Sequence, residues 1–408
     1  MANADDKFFG GDLSTQSEIK VKFPGLDIKD ILDQVTLKEV FLGESLLNPS
    51  LQTAVTVHSY FHNIPIKNLD RFKTVDVELE INRPSLEAYN ITPKLEVRQK
   101  VYRLDNRFLY NNVTEEFTLH ACDQTLLDSA ATLVSKMWKC TTPSDVTREV
   151  LASCAGAKSL DIEPSLPARD YVAENIQPFQ VVSQQKEAAL AAGNDPSFLH
   201  YMTYENFGTH HFRSLKTLCA QSPICEYEYS ETGYRAGQGN PFSIITHSFP
   251  CDFDLLSDIL NGIDQNGNDI NSMMVYNPLK RMFNMVGSQT YGCGIGSGNP
   301  KMALSNQGSE KDQNACPDYS QYYVLKRQAR MGLLEKDKIA LSITVPFNPE
   351  LHVGKIIRLN LYNKNEPTQK NYGSGDYLIL HLTHKLQYGG YSVTSMDCVS
   401  KTVGQGEV

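Results

Sequence analysis

The chain has 408 residues, of which 41% are hydrophobic and 21% charged, and it carries a net charge of -9. That length exceeds what one hydrophobic core supports, so two or more domains are expected, and the composition lies far from that of a disordered chain. The acidity, with a sequence pI near 5.6, excludes a surface built to neutralise phosphates, although a duct through which DNA slides without sticking tolerates a neutral or acidic lining.

In chain order, residues 1–14 read as a polar, acidic, glycine-containing arm with no signal-peptide pattern, and no later stretch nears the ~18 apolar residues of a membrane span. Period-two alternation then begins at Ile19, Val21 and Phe23. It recurs at Val75, Val77, Leu79 and Ile81, with Thr74, Asp76, Glu78 and Glu80 opposite, and again at Leu95, Val97 and Val101 and at Phe117, Leu119 and Ala121. One face of each strand is therefore buried and the other wet, as in antiparallel sheets and barrels. Residues 15–136 are read as a first β module.

Between 137 and 197 the pattern turns helical. Thr142-Pro143-Ser144-Asp145 supplies cap and first-turn residues ahead of Val146, Val150 and Leu151, and a second helix is expected from Pro178 to Ala192, stopped by Gly193-Asn194-Asp195-Pro196. Short aromatic strands return over 198–230. From 231 to 334 the chain is rich in Gly, Asn, Ser and Gln, and Gly292–Pro300 excludes regular structure, so this region reads as loops inserted in a domain.

The last alternations are Ile339 to Val345, Ile357 to Leu361, and Leu378 to Leu382. The third of these strands turns at Tyr388-Gly389-Gly390 into a fourth, over Tyr391 to Val399, the paired glycines supplying the positive φ of a tight hairpin. Residues 335–402, completed by 198–230, are read as a second β module, with 403–408 a tail. The fold class expected is mainly β with an α+β middle.

Nothing in the chain assembles catalytic chemistry. The nine cysteines are odd in number and contain no Cys-x-x-Cys, which fits a reducing compartment better than a disulfide framework or a zinc site, and makes the sequons at Asn90 and Asn112 meaningless. His381 and His384 fall on opposite faces of a strand, and His58 with His62, like His210 with His211, lies in β-like sequence, so packed or interface roles are expected and no metal. Asp264-Gln265-Asn266-Gly267-Asn268-Asp269 opens like a calcium loop but has Asp269 where the turn needs glycine and Val275 where a bidentate Glu is needed. The Gly292–Gly298 run has no preceding apolar strand and no following Lys-Ser/Thr, so it is no phosphate cradle. No Gly-x-Ser-x-Gly, His-Glu-x-x-His or glycosidase carboxylate pair occurs. No enzyme activity and no cofactor are expected.

The segment from Phe198 to Leu215 resembles the aromatic strand, Glu-Asn turn, glycine and Phe-x-Ser-Leu strand of the central baseplate hub proteins of contractile-tailed, T-even type bacteriophages. Val353 to Leu359 followed by Gly375 to His384 is similar to the closing barrel of the same family and of related spike-base proteins. The matching residues are Tyr204, Glu205, Asn206, Gly208, Phe212, Ser214 and Leu215 in the hairpin, and Gly354, Tyr377, His384, Gly389 and Gly390 in the closing module. Structural or interface roles are expected for them.

That resemblance implies two tail-tube-type antiparallel β-barrel domains per subunit and a homotrimer, so that three subunits set six barrels around a DNA channel. It implies a threefold central spike protein and a sixfold tail tube or tube initiator as partners, with baseplate wedge and tape-measure proteins as further candidates, and DNA passing without sequence-specific binding. The implied location is the virion tail baseplate, reached from the host cytoplasm. A spike-base module of a related contractile injection system, or a tail-associated hydrolase, are the alternatives. Region 231–334 has no counterpart in the resemblance.

Overall fold

The computed structural model describes residues 17–24, 35–60, 75–109, 114–230, 242–249, 272–277, 282–287, 301–302, 327, 331, 334, 340–362, 373–388 and 390–401. It is mainly β, with antiparallel ladders dominating. The N-terminal strands are β1 (Glu18–Lys22), β2 (Val35–Ser45), β3 (Asn48–Tyr60), β4 (Asp76–Asn82), β5 (Lys94–Leu109) and β6 (Thr114–Cys122). Their alternation is the expected one. On β4, Val77, Leu79 and Ile81 are buried while Asp76, Glu78 and Glu80 face water.

The middle carries α1 (Gln124–Ala131), β7 (Val134–Thr141), α2 (Pro143–Ser153), β8 (Ser159–Ile162), β9 (Arg169–Ile176), α3 (Pro178–Ala188), β10 (Phe198–Thr203), β11 (Thr209–Ser214) and α4 (Leu215–Cys219). Then follow β12 (Cys225–Ser230), β13 (Thr246–Ser248), β14 (Ser272–Asn277), β15 (Met282–Gly287), β16 (Lys301–Met302), β17 (Leu341–Pro346), β18 (Ile356–Tyr362), β19 (Gly375–Gln387) and β20 (Ser392–Ser400).

The two ends of the chain build one sheet. Twelve strands run in the order β1-β4-β5-β6-β3-β2-β19-β20-β17-β13, with β18 beside β19 and β12 beside β18. The seam is β2 against β19, from Ser45 opposite His381 to Glu39 opposite Gln387. β19 is the spine: its first half pairs with β18, its second half with β2, and β20 follows its other edge throughout, with a register irregularity between Ile379 and His381. Around that irregularity Tyr377 to Leu380 are all buried, so strict alternation gives way to burial on both faces.

Three expectations need correction. The 198–214 hairpin does not pair with the C-terminal strands; β10, β11 and the parallel β8 form a separate three-stranded sheet, while β12 does join the large sheet through β18. All six residues of β10 are buried, so this strand needs cover on both faces. The middle is less helical than its alanines suggest. β7 and β9 form a two-stranded ribbon sealed by Trp138 on Tyr171, centroids 5.7 Å apart. Finally, α3 stops at Ala188 because Leu190 exchanges backbone hydrogen bonds with Leu166 at 2.8 and 2.9 Å, and that pairing overrides alanine's helix propensity. Within 231–334 the described residues include the strands β13 to β16, whereas Phe253–Ile259, Asp264–Asp269 and Gly292–Pro300 lie outside the described residues, as does Gly389.

Three apolar clusters fill the interior, and the β10–β11 hairpin feeds all of them. Phe198 and Phe212 stack at 4.8 Å within the helical middle, beside Val146, Val150, Leu151, Val181 and Val182. Leu199 and Tyr201 enter the C-terminal core with Leu341, Ile343, Leu359 and Leu378. Met202 and Tyr204 enter the N-terminal core with Leu42, Val55, Leu79, Val97 and Phe117. Thr142 caps α2, its side chain accepting from the Asp145 amide, and Pro143 occupies the first turn.

Two phenylalanines of the hairpin then separate sharply. Phe212→Ala is expected to cost about 3–5 kcal/mol because it empties a packed site, whereas Phe207→Ala, at a side chain 56% exposed, changes stability by less than about 1 kcal/mol. Urea denaturation of the two variants measures the difference.

Candidate functional site

The two β halves and the hairpin meet at one buried carboxylate. Val40, Leu42 and Glu44 of β2, and Leu46 just after it, are buried in alternation, so the pattern that buries three apolar side chains drives Glu44 inward with them. The Glu44 side chain is fully buried and accepts three hydrogen bonds. Tyr204 N donates to Oε1 at 2.8 Å, His352 Nδ1 bonds the same oxygen at 2.9 Å, and Val353 N donates to Oε2 at 2.9 Å. One carboxylate thus holds the tip of β10, the segment before β18 and its own strand.

Around it, Tyr204 Oη donates to the Gln52 carbonyl at 2.7 Å and bonds Thr53 Oγ1 at 3.1 Å. Glu205 pairs with Lys355 at 3.1 Å. Burial pulls the His352 imidazole down, but the Glu44 charge and hydrogen bond, with Glu205 beyond, raise it above its ordinary value.

Gly354 sits against the same joint with φ +79°, and a Cβ there would lie 2.7 Å from Tyr201 Oη. The turn after Tyr204 is tight: Asn206 and Phe207 both have positive φ, 50° and 64°, and Gly208, at φ +113°, brings the chain within 3.0 Å of Asp123 Oδ2 for any added Cβ.

The remaining family-motif residues have separate places. Ser214 caps α4 by accepting from Thr217 N, and its own amide and hydroxyl donate to the Glu163 carboxylate at 2.8 and 3.0 Å. Leu215 is core. Tyr377 Oη donates to the Gly373 carbonyl at 2.7 Å, far along β19 from the joint. His384 is buried, bonds Thr394 Oγ1 at 2.8 Å through Nδ1 and meets the Phe347 ring edge-on at 5.0 Å; burial pushes it down to about 3. Gly390 N donates to the Gln387 carbonyl at 3.2 Å in the β19–β20 turn. Hence Tyr204, Glu205 and Gly354 come together, and the others do not.

A second array on the hairpin has the arrangement of a hydrolytic relay. His211 Nε2 lies 3.0 Å from Thr203 Oγ1, and His211 Nδ1 lies 2.8 Å from Asp161 Oδ2, itself held by Arg213 at 2.7 and 2.9 Å. The His211 hydrogen bond and the Arg213 charge keep Asp161 well below the usual carboxylate range. Thr203 is 1% exposed, however, so no substrate carbonyl reaches its hydroxyl, and the array is a structural lock on the β8–β11 pairing. His200 and His210 stack beside it, bonded to each other at 3.1 Å; burial holds both below their ordinary value, His210 at about 3. Among the described residues no three His, Cys, Asp or Glu side chains converge to hold a metal ion. No helix among them is long and apolar enough to cross a membrane.

Comparison by sequence gives nothing: no family model matches the chain and no curated protein matches it. Comparison by structure does. The tail protein from Neisseria meningitidis MC58 superposes with a TM-score of 0.56 at 12% identity, covering 96% of this chain and 98% of that one. The 43 kDa tail protein of prophage MuSo2 from Shewanella oneidensis gives 0.53 at 9% identity, covering 95% and 98%. The chain has the fold of these tail proteins. The likeness runs through both β halves and the middle.

Sequence reasoning missed Glu44, His352 and Asp161. The signal for Glu44 was available, since an acidic residue in the apolar register of a strand must be buried. His352 and Asp161 lie 308 residues beyond Glu44 and 50 residues before His211, and nothing local points to either pairing.

Glu44→Gln is expected to cost on the order of 3 kcal/mol by breaking a buried, hydrogen-bonded pair. In the wild-type chain the His352 contribution is complete below the unfolded-state histidine value and is lost as pH rises through the raised folded value. The variant therefore has a flatter alkaline limb in urea midpoints taken across pH.

At the acid end the signs reverse. His200, His210 and His384 are held neutral and Asp161 is held ionised, so stability falls as pH drops below about 6.5, His210 and His384 each contributing a loss on the order of 3 kcal/mol by about pH 4. His384→Gln, which cannot titrate, should show a shallower acid slope in the same series.

Proposed function

We propose that this chain is a non-enzymatic structural protein of a phage tail, the central hub of a contractile, T-even type baseplate, acting as a homotrimer that adapts a threefold spike to a sixfold tail tube around the DNA channel. The observation that carries the reading is the end-to-end likeness of the fold to tail proteins, 96% of this chain against 98% of the Neisseria protein.

The architecture supports it physically. Each chain offers two β halves fused edge to edge at the β2–β19 seam, so three chains offer six similar units in a ring. Among the described residues the large sheet ends at β1, β13 and β12, and exposed edges call for cover by neighbouring chains. The burial of Thr203 and the -9 charge fit a conduit that neither cleaves nor grips its cargo. The spike and the tail tube or tube initiator are the proposed partners.

Light scattering on the full chain, alone and co-expressed with a spike protein, tests this. A species of three times 45.7 kDa, with threefold rings by electron microscopy, is the expected result; a strictly monomeric mass in the presence of the spike overturns it.

A further inference from the structure

Over their paired residues, β1, β4 and β5 turn only polar side chains outward. The ladders set these in rows: Glu18, Asn82 and Lys94, then Lys20, Glu80 and Glu96, then Lys22, Glu78 and Arg98, with Asp76 beside Lys100 at the end. Directly opposed residues share a face, and the alternate ones, such as Val77, Leu79 and Ile81, are buried. A charged sheet face is ordinary in itself. This one has a wall beside it.

A groove of about 650 Å³ runs over the face, bounded as well by Asp123 to Thr125 at the start of α1, by Lys158 and by the hairpin tip, Asn206 to Gly208. Its size is that of a ligand cleft. At the tip Phe207 sits in the left-handed region, φ +64°, and is 56% exposed. Bulky residues seldom adopt that conformation, so the turn is strained and keeps an aromatic ring at the margin of the groove. Gln99 also lines the groove, 3% exposed, with neither Nε2 nor Oε1 hydrogen-bonded.

The ion pairs of the groove leave cations over. Each carboxylate is engaged: Asp76 and Glu78 by Arg98, Glu80 by Lys20 and Lys94, Glu96 by Lys94, and Asp123 by the Thr125 amide. Lys22, Lys100 and Lys158 make no ion pair among the described residues. Lys22 and Lys100 stand on β1 and β5, about 10 Å apart across the sheet and about 7 Å along it. An extended peptide repeats a side chain on one face every ~7 Å, so acids four residues apart span the distance between these two lysines. A continuous polyphosphate matches less well. The middle strand sets Asp76, Glu78 and Glu80 in a line that repels an unbroken anion but accepts from peptide amides.

We propose that this groove binds an extended, acidic segment of another protein, with its carboxylates on Lys22, Lys100 and Lys158, an apolar side chain on Phe207 and its backbone amides over the acidic line of β4. A second copy of this chain is the poorer occupant, because every strand among the described residues is already paired in a sheet and none is free to lie in the groove. The inference is independent of the hub reading and stands or fails without it.

Fluorescence anisotropy on the full chain tests it, with a labelled octapeptide of alternating Glu and Val as probe and the same peptide with Lys in place of Glu as control. Saturable binding is expected for the acidic peptide only, and it weakens as salt is raised from about 50 to about 300 mM. The triple variant Lys22→Gln, Lys100→Gln, Lys158→Gln binds about tenfold more weakly and Phe207→Ala about threefold, while the urea midpoint of the triple variant stays at the wild-type value and shows that the fold is intact. No saturable binding of the acidic peptide, equal binding of the basic one, or a triple variant that binds as the wild type does overturns the assignment. So does self-association of the wild-type chain that the triple variant abolishes in light scattering, which puts a second copy in the groove.

Discussion

A strand pair with no solvent face is the constraint on which the rest of this structure depends. β10 is buried along its whole length, and its side chains are divided among three separate cores. Such a hairpin cannot exist until the N-terminal half, the C-terminal half and the helical middle all close on it. Conversely, none of the three can complete its core without it, since Phe212, Tyr201 and Tyr204 each fill a different one. The hairpin makes one cooperative body out of segments far apart in sequence.

The buried polar groups lie where these segments meet. Glu44 receives donors from the hairpin and from the segment leading to β18. Glu163 holds the amide and hydroxyl of Ser214. Arg83, fully buried, donates to the Phe347 carbonyl at 2.6 Å, and Arg327 donates to the carbonyls of Pro196 and Phe198 at 2.9 and 2.7 Å, its guanidinium pulled by burial down to about 10. Pairs of this kind add little net stability once desolvation is counted, but a misregistered neighbour leaves a bare charge in the interior. Their effect is to select one docking geometry. For a protein proposed to hold a ring of fixed dimensions, fixed docking between its halves matters more than extra stability.

The β2–β19 seam extends the same logic to the scale of the sheet. A backbone ladder of seven residue pairs allows no sliding without loss of every hydrogen bond in it, so the two halves turn as one. The irregularity in β19 lets a single strand serve β18 and β2 in turn. Among the described residues the sheet ends at β1, β12 and β13.

The amino-acid sequence by itself determined the local elements, because strands with one wet face and helices with capped ends announce themselves through nearest-neighbour chemistry. The alternation at Val77, Leu79 and Ile81, the Thr142-Pro143 helix start and the Tyr204–Gly208 turn were all legible from side-chain periodicity and turn residues. The tertiary structure alone decided where fully buried segments go. β10 is buried on both faces, so no periodicity distinguishes which partner covers which side, and the pairing of its hairpin, through β11, with β8 rather than with the C-terminal strands followed from long-range packing. The same holds for α3, ended by a bridge to Leu166, and for Glu44, whose partners lie on segments 160 and 308 residues away. Burial of a charge is written in the register of its own strand; the identity of the group that neutralises it is a property of the folded whole.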